Sequence, residues 1–225
     1  MLFQHKLTRA ASRRRFGAPR AHRRGSIGAE QSAPPEPLAP TTPAVTPFVL
    51  WFTGLPGAGK TTLARLAADE LERRGGHVEL LDGDVVRTHL SRDLGYTRAD
   101  RETNVERIAW VASRLVRAGA VVVVAVIAPY AASRRKAREL VEEQGRFVEV
   151  HVATPLEECL RRDPKGLYAR AAAGEVTNVT GLDDPYEAPE EPELRIDTTG
   201  ATPLESVAQV LAAVVELDLV GELVR

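Results

Sequence analysis

Between Phe48 and Leu71 the chain reads FVLWFTGLPGAGKTTLARLAADEL. Apolar and aromatic residues suited to a buried strand give way to glycines at 54, 57 and 59, then to an amphipathic run of helical period. Gly54-Leu55-Pro56-Gly57-Ala58-Gly59-Lys60-Thr61 fits the pattern G-x-x-x-x-G-K-[ST] without mismatch, in the strand-then-helix context the pattern needs. Glycines let the backbone curl until successive N–H groups point inward at an anion. The helix that starts near Lys60 adds the partial positive charge of its N-terminus. Lys60 is then placed for the β- and γ-phosphates and Thr61 for Mg²⁺, with Thr62 completing the cradle. A glycine-rich turn without a ligand is the plain alternative. The motif names ATP or GTP and leaves the phosphate acceptor open.

Outward from this stretch, strands and helices alternate. Strands are expected at Val49–Thr53, Val78–Leu81, Val121–Ile127, Phe147–Val152 and Leu194–Ile196. Helices are expected at Lys60–Arg74, Asp100–Ala118, Ser133–Glu143, Leu156–Arg161 and Pro203–Leu219. The last opens with a capping box, Thr202 as N-cap and Glu205 three residues on, with Pro203 in the first turn. Such alternation builds a parallel sheet covered on both faces, an α/β fold of three layers, α/β/α. Residues 163–192 are polar, rich in Gly and Pro, and too long for an ordinary connection, which marks a functional loop.

A chain of 225 residues with 44% hydrophobic and 27% charged residues suits one well-filled soluble domain. Its longest apolar run, Ala120 to Ala128, is half of what a bilayer span needs and reads as a strand buried on both faces. The single cysteine, Cys159, excludes an intrachain disulfide and fits a reducing compartment, hence the cytoplasm. Residues 1–47 carry eight Lys/Arg against two Glu, and the remainder 22 basic against 29 acidic residues. The body therefore has no charge suited to nucleic acid. Residues 1–46 read as a disordered basic tail with a Pro-rich linker, followed by a folded domain at 47–225. The tail's Arg- and Ser-containing start superficially resembles a transit peptide, or a weak polyanion-binding arm, but an unselected extension is the plainer reading.

Past the second strand, LLDGDVVRTHL sets Asp82 and Asp84 at the carboxyl edge of the sheet, where ligands of open α/β sheets bind. A carboxylate there accepts a proton from an attacking hydroxyl or helps hold Mg²⁺; an Asp-Gly-Asp turn is the bland alternative. In the next helix, Val105, Ile108, Ala109 and Ala112 form the apolar stripe, with Arg101, Asn104 and Arg107 near its start. Arginine suits a planar anion, and asparagine a base edge or ribose. His77, His89 and His151 have no metal-ligand spacing. Trp51, Trp110 and Cys159 are expected in the core.

Six blocks, GLPGAGKTT, LLDGDVVR, DLGYTRADRETNVERIA, VIAPY, RDPKGLYARAAAGEV and TGLDDPYEAPEEPEL, follow in the order and spacing of the adenylylsulfate kinases. From about Phe48 to Leu219 the chain resembles that family of P-loop kinases. The resemblance implies transfer of the ATP γ-phosphoryl to the 3′-hydroxyl of adenosine 5′-phosphosulfate, with Mg²⁺. It places Asp84 beside the acceptor hydroxyl and the metal, with Arg87, Arg101 and Asn104 on the phosphosulfate and acceptor nucleotide. Tyr96 falls at the position that stacks on the acceptor adenine, Ile127 at the acceptor pocket, Lys165 on the loop that reaches the acceptor, and Arg162 near the ATP adenine. Arg161 reads as a surface charge. Segment 163–192 becomes a mobile lid that excludes water.

The family is often dimeric, so a homodimer is expected, supplied with substrate by a separate ATP sulfurylase. Two positions depart from the family pattern. Ala128 stands where many members have a phosphorylatable Ser, which excludes a phosphoseryl enzyme there and implies direct in-line transfer. Val179 stands where many have a Phe that completes an aromatic clamp, which implies weaker acceptor binding or lid order. Two other readings stay open: a P-loop kinase for another small hydroxylated acceptor, and a catalytically silent nucleotide-binding regulator.

Overall fold

The computed structural model describes residues 45–221. The basic tail expected at 1–46 lies outside them save for Val45 and Thr46. Those two already belong to the packed body: Val45 is buried and pairs with Val220, and Thr46 N–H donates to Leu219 O at 2.9 Å.

The sheet is built around β1 (Phe48–Gly54), all seven of whose residues are buried. Its neighbours are β3 (Val121–Ala125) and β4 (Arg146–Val152). Outside these lie β2 (Val78–Asp82) and β5 (Leu194–Ile196), giving the order β2-β3-β1-β4-β5 with every pairing parallel. Alternate residues of β1 serve opposite faces, as strand geometry requires. Phe48, Leu50 and Phe52 pack with α1 (Lys60–Arg73) and α7 (Pro203–Glu216), while Val49 and Trp51 pack with α3 (Arg98–Arg117) and α4 (Ala131–Glu142). This is the three-layer α/β/α arrangement that the alternating pattern predicts.

After β1 the chain crosses to β2 and returns through β3, then continues on the other side of β1 with β4. The carboxyl end of β1 is therefore the switch point of the sheet, where a crevice opens. The phosphate-binding motif leaves β1 at that end.

The differences from the predicted elements cluster there. Strand β3 ends at Ala125 rather than Ile127, since the Thr53 hydroxyl and not a strand partner takes the Ile127 carbonyl (2.6 Å) and Ala128 turns to a φ of 44°. Two short helices lie where no helix was expected. One is α2 (Gly83–His89), started by the Asp82 carboxylate accepting from Asp84 N–H at 3.0 Å. The other is α6 (Leu167–Ala172), inside the long polar segment, whose first N–H groups at Tyr168 and Ala169 donate to the Asp163 carboxylate. Between β4 and α6 runs α5 (Leu156–Arg162). The capping box of α7 is as expected, and α3 carries a second one, Thr97 with Asp100, which starts it two residues before the predicted Asp100.

Trp51 and Cys159 are fully buried, but Trp110 is 57% exposed on the outer side of α3, against expectation. Its neighbours Ala109 and Ile108 carry the buried stripe, one residue round the helix. Among the described residues, no helix is long and apolar enough to cross a membrane.

Candidate active site

The loop at the end of β1 is fitted tightly against the chain that follows β4. A Cβ at Gly54 would lie 2.5 Å from the Val152 carbonyl oxygen, and one at Gly57 3.2 Å from that of Cys159. Gly57 and Gly59 have φ of 76° and 105°, the left-handed region open to glycine. The Lys60 ammonium turns back over the loop and donates to the carbonyls of Gly54 (2.9 Å) and Leu55 (2.8 Å). Burial pushes its pKa down to about 8. At the next residue of α1, the Thr61 hydroxyl donates to Asp82 Oδ2 at 2.8 Å.

Lys60, Thr61 and Thr62 line a cavity of about 790 Å³ together with Pro56, Gly57 and Gly59. Gly54, Leu55 and Ala58 lie behind the lining: Ala58 is wholly buried, and Leu55 faces a separate surface hollow with Leu156 and Leu182. Asp84, Arg87, Tyr96, Arg101, Asn104 and Ile127 line the same cavity, as do Arg162 and Lys165, the latter paired with Asp84. The sequence-predicted residues of the two substrates thus share one space.

Their partners differ from the simplest expectation. Asp84 is exposed and forms an ion pair with Lys165; it makes no bond to Thr61. The buried carboxylate joined to Thr61 is Asp82, which also caps α2. A carboxylate at a strand's carboxyl end is legible in the sequence, but which of two aspartates separated by Gly83 meets Thr61 depends on the fold. Tyr168 also lines the cavity, and its hydroxyl donates to Pro56 O at 3.0 Å.

Arg101 is buried, and its guanidinium is committed to the segment predicted as a lid. It donates to Thr180 Oγ1 at 3.0 Å and to the Asn178 carbonyl, with Asp184 3.7 Å away, while Nε donates to Tyr96 O at 3.0 Å. Tyr130 adds a bond from its hydroxyl to Asp184 Oδ1 at 2.8 Å. Arg101 thereby ties the turn at 178–184 to the start of α3. Asn104 Oδ1 is buried and finds no partner among the described residues. Tyr96, 60% exposed, lies under the Arg87 guanidinium, 4.4 Å from its ring centroid. Burial lowers the Arg87 pKa. Val179 is packed in the core beneath this turn rather than on the cavity wall, so it does not stand opposite Tyr96.

Arg162 is fixed from two sides. Nε donates to Glu158 Oε1 at 2.7 Å, and the two terminal nitrogens donate to Thr198. Bonds from Arg161 and Arg162 hold the Glu158 carboxyl down to about 2. Arg161 itself is a surface side chain, as expected, and it pairs with Glu158.

The arrangement is that of a kinase: an anion cradle, a buried ammonium, a hydroxyl–carboxylate pair beside it, and a second polar recess in the same cavity. Comparison with known proteins agrees. The family model of adenylylsulphate kinase matches residues 46–197. The bifunctional enzyme NodQ of Rhizobium sp. (strain N33) is 55% identical over 72% of this chain, which spans only 25% of that relative's length. A probable adenylyl-sulfate kinase of Aeropyrum pernix is 49% identical over 69% of this chain and 85% of its own. The structure of the Mycobacterium tuberculosis APS kinase CysC in complex with AMPPNP and APS superposes with a TM-score of 0.73, at 41% identity, covering 76% of this chain and 98% of that one. The chain belongs to the adenylylsulphate kinase family.

Proposed function

We propose that the protein transfers the γ-phosphoryl group of ATP to the 3′-hydroxyl of adenosine 5′-phosphosulfate. The observation that carries this reading is the shared cavity, in which the phosphate-binding loop faces Arg87, Tyr96, Asn104 and Lys165. That wall offers cations for a phosphosulfate, an exposed aromatic face for a base and an unpartnered amide oxygen for a donor on the acceptor. The family membership points the same way.

In this mechanism the loop N–H groups and Lys60 hold the triphosphate, and Lys60 follows the charge that builds on the β,γ-bridging side. With three N–H donors, the ammonium adds phosphate oxygens to its contacts with the loop carbonyls. Lys165 moves from Asp84 to the arriving sulfated adenylate, freeing the carboxylate to align the 3′-hydroxyl and take its proton. The bond from that oxygen to the γ-phosphorus forms as the bond to the β,γ-bridging oxygen breaks, leaving ADP. Ala128 has no hydroxyl to accept the group on the way. Arg101 positions the 178–184 turn over the acceptor.

The donor set fits Mg²⁺. The Thr61 hydroxyl and Asp82 carboxylate are hard oxygen ligands, and too few acidic or histidine side chains cluster among the described residues to hold a metal without substrate phosphates. Thr61 and Asp82 would hold the ion, with Asp84 close by, and the ion would neutralise charge on the β- and γ-phosphates.

We assign the chain from Val45 onward to the kinase domain, two residues earlier than the sequence-based boundary at 47, with 163–192 as its lid. The working form is a cytoplasmic homodimer fed by a separate ATP sulfurylase. Incubation with Mg·ATP and a panel of hydroxylated acceptors, followed by mass analysis, tests the reaction. The sulfated adenylate gains one phosphoryl group; its remaining unchanged while a sugar or nucleoside gains one would replace this reading.

A further inference from the structure

For the N–H groups of a phosphate-binding loop to face phosphate, its carbonyls must turn away, and each one buried in that turn needs a donor. Here the donors can be named. Lys60 serves Gly54 and Leu55, and the Tyr168 hydroxyl serves Pro56. Ala58 O, wholly enclosed, meets two hydroxyls: Thr154 Oγ1 at 3.0 Å and Thr198 Oγ1 at 3.1 Å. Thr154 lies just past β4 and Thr198 just past β5. They are 3% and 7% exposed, and their oxygens are 2.8 Å apart.

Chemistry orders the protons. A guanidinium only donates. Arg162 Nη1 lies 2.7 Å from Thr198 Oγ1, and Nη2 donates to Thr198 O at 2.9 Å, so Thr198 is an acceptor toward Arg162. The single Thr198 hydroxyl proton then goes either straight to Ala58 O or to Thr154 Oγ1, which passes its own on to Ala58 O. Both orders end with a hydroxyl proton on the loop carbonyl, and the charge at the Arg162 end polarises the chain. Gly59, the next loop residue, borders the same hydroxyl: a Cβ there would stand 3.7 Å from Thr198 Oγ1.

We infer that Thr198 is a positioning residue for the nucleotide, with Thr154 as its relay partner. It ties the phosphate-binding loop to Arg162 on the cavity wall, so that the grip on the triphosphate and the placement of that guanidinium share one buried hydroxyl. This rests on reading the cavity as an ATP site.

Thr198→Val removes the hydroxyl and keeps the shape. Calorimetric titration with Mg·ATP should show an affinity about tenfold weaker. In turnover, KM for ATP should rise by a similar factor, with KM for the acceptor unchanged and kcat less affected. Thr198→Ser should restore wild-type affinity within about twofold. In a cycle with Arg162→Ala, the double variant should bind ATP no more weakly than the weaker single variant, because both act through one chain of bonds. An unchanged ATP affinity in Thr198→Val, a serine variant as impaired as the valine one, or full additivity with Arg162→Ala overturns the inference. If Thr198→Val does not fold, Thr198→Ser and Thr154→Val carry the same comparison. The titration needs no acceptor, so a wild-type chain that binds ATP but phosphorylates nothing defeats the proposed reaction and leaves the relay standing. A wild-type chain that does not bind ATP defeats both.

Discussion

The Thr61 hydroxyl donates to the Asp82 carboxylate across 2.8 Å, joining the first turn of α1 to the end of β2. This bond sets side by side, at the mouth of the phosphate cradle, the two oxygens to which the proposed mechanism gives the Mg²⁺. Asp82→Asn keeps the shape and removes the charge. Turnover should then need about ten- to a hundredfold more Mg²⁺, with a lower ceiling. A magnesium titration of the variant checks this, and an unchanged midpoint would remove Asp82 from the metal site.

Asp84 and Lys165 are paired but exposed, at 72% and 70% of their side chains. An exposed pair adds little stability, so Lys165→Ala should leave the melting temperature nearly unchanged. The role assigned to the pair lies in the reaction instead. Asp84→Ala should abolish transfer while ATP binding survives, and Lys165→Ala should raise KM for the acceptor more than KM for ATP. Steady-state kinetics on the two variants separates these outcomes; an Asp84→Ala enzyme with normal turnover would reject its role.

Lys60 gives a pH signature. Burial under the loop pushes the pKa of its ammonium down to about 8 from 10.5. The unfolded chain binds the extra proton between those values, so the nucleotide-free protein should gain stability as pH rises through that window. The gap corresponds to about 3 kcal/mol. Bound triphosphate favours the charged form, so ATP binding above pH 8 should take up a proton and weaken as pH rises further. Calorimetry in buffers of different ionisation enthalpy measures the uptake. Lys60→Met should abolish both the uptake and the pH-dependent gain.

His151 acts at the other end of the scale. Burial, aided by Arg195 and Arg134, pushes its pKa down to about 4. Its ring stacks on Tyr186 with centroids 5.8 Å apart. The unfolded ring protonates near 6.5, so between 6.5 and 4 the unfolded state binds more protons and stability falls as pH is lowered. The loss approaches about 3 kcal/mol at the lower end. Urea midpoints at pH 7 and pH 4.5 should differ less in His151→Gln than in the parent protein.

Local signals made much of this molecule legible. The loop motif, the five strands, five of the helices and the capping box of α7 all follow from patterns within a few residues. Helix α2 escaped notice because GDVVRTH has poor helix formers and owes its start to one carboxylate, Asp82. Trp110 has apolar neighbours in sequence, yet the helix turns its position outward, which a local pattern does not reveal. The candidate site was legible as a set of residues but not as a set of partners. That Arg101 clasps Thr180 and Asn178, that Asp82 rather than Asp84 meets Thr61, and that Val179 is a core residue all depend on contacts between segments far apart in the chain.

The most direct test follows the phosphorus. With ATP labelled at the γ-position, Mg²⁺ and adenosine 5′-phosphosulfate, the label should appear on the 3′-oxygen of the sulfated nucleotide, one per ADP formed. Label released only as inorganic phosphate, or retained in ATP that is demonstrably bound, would contradict the account.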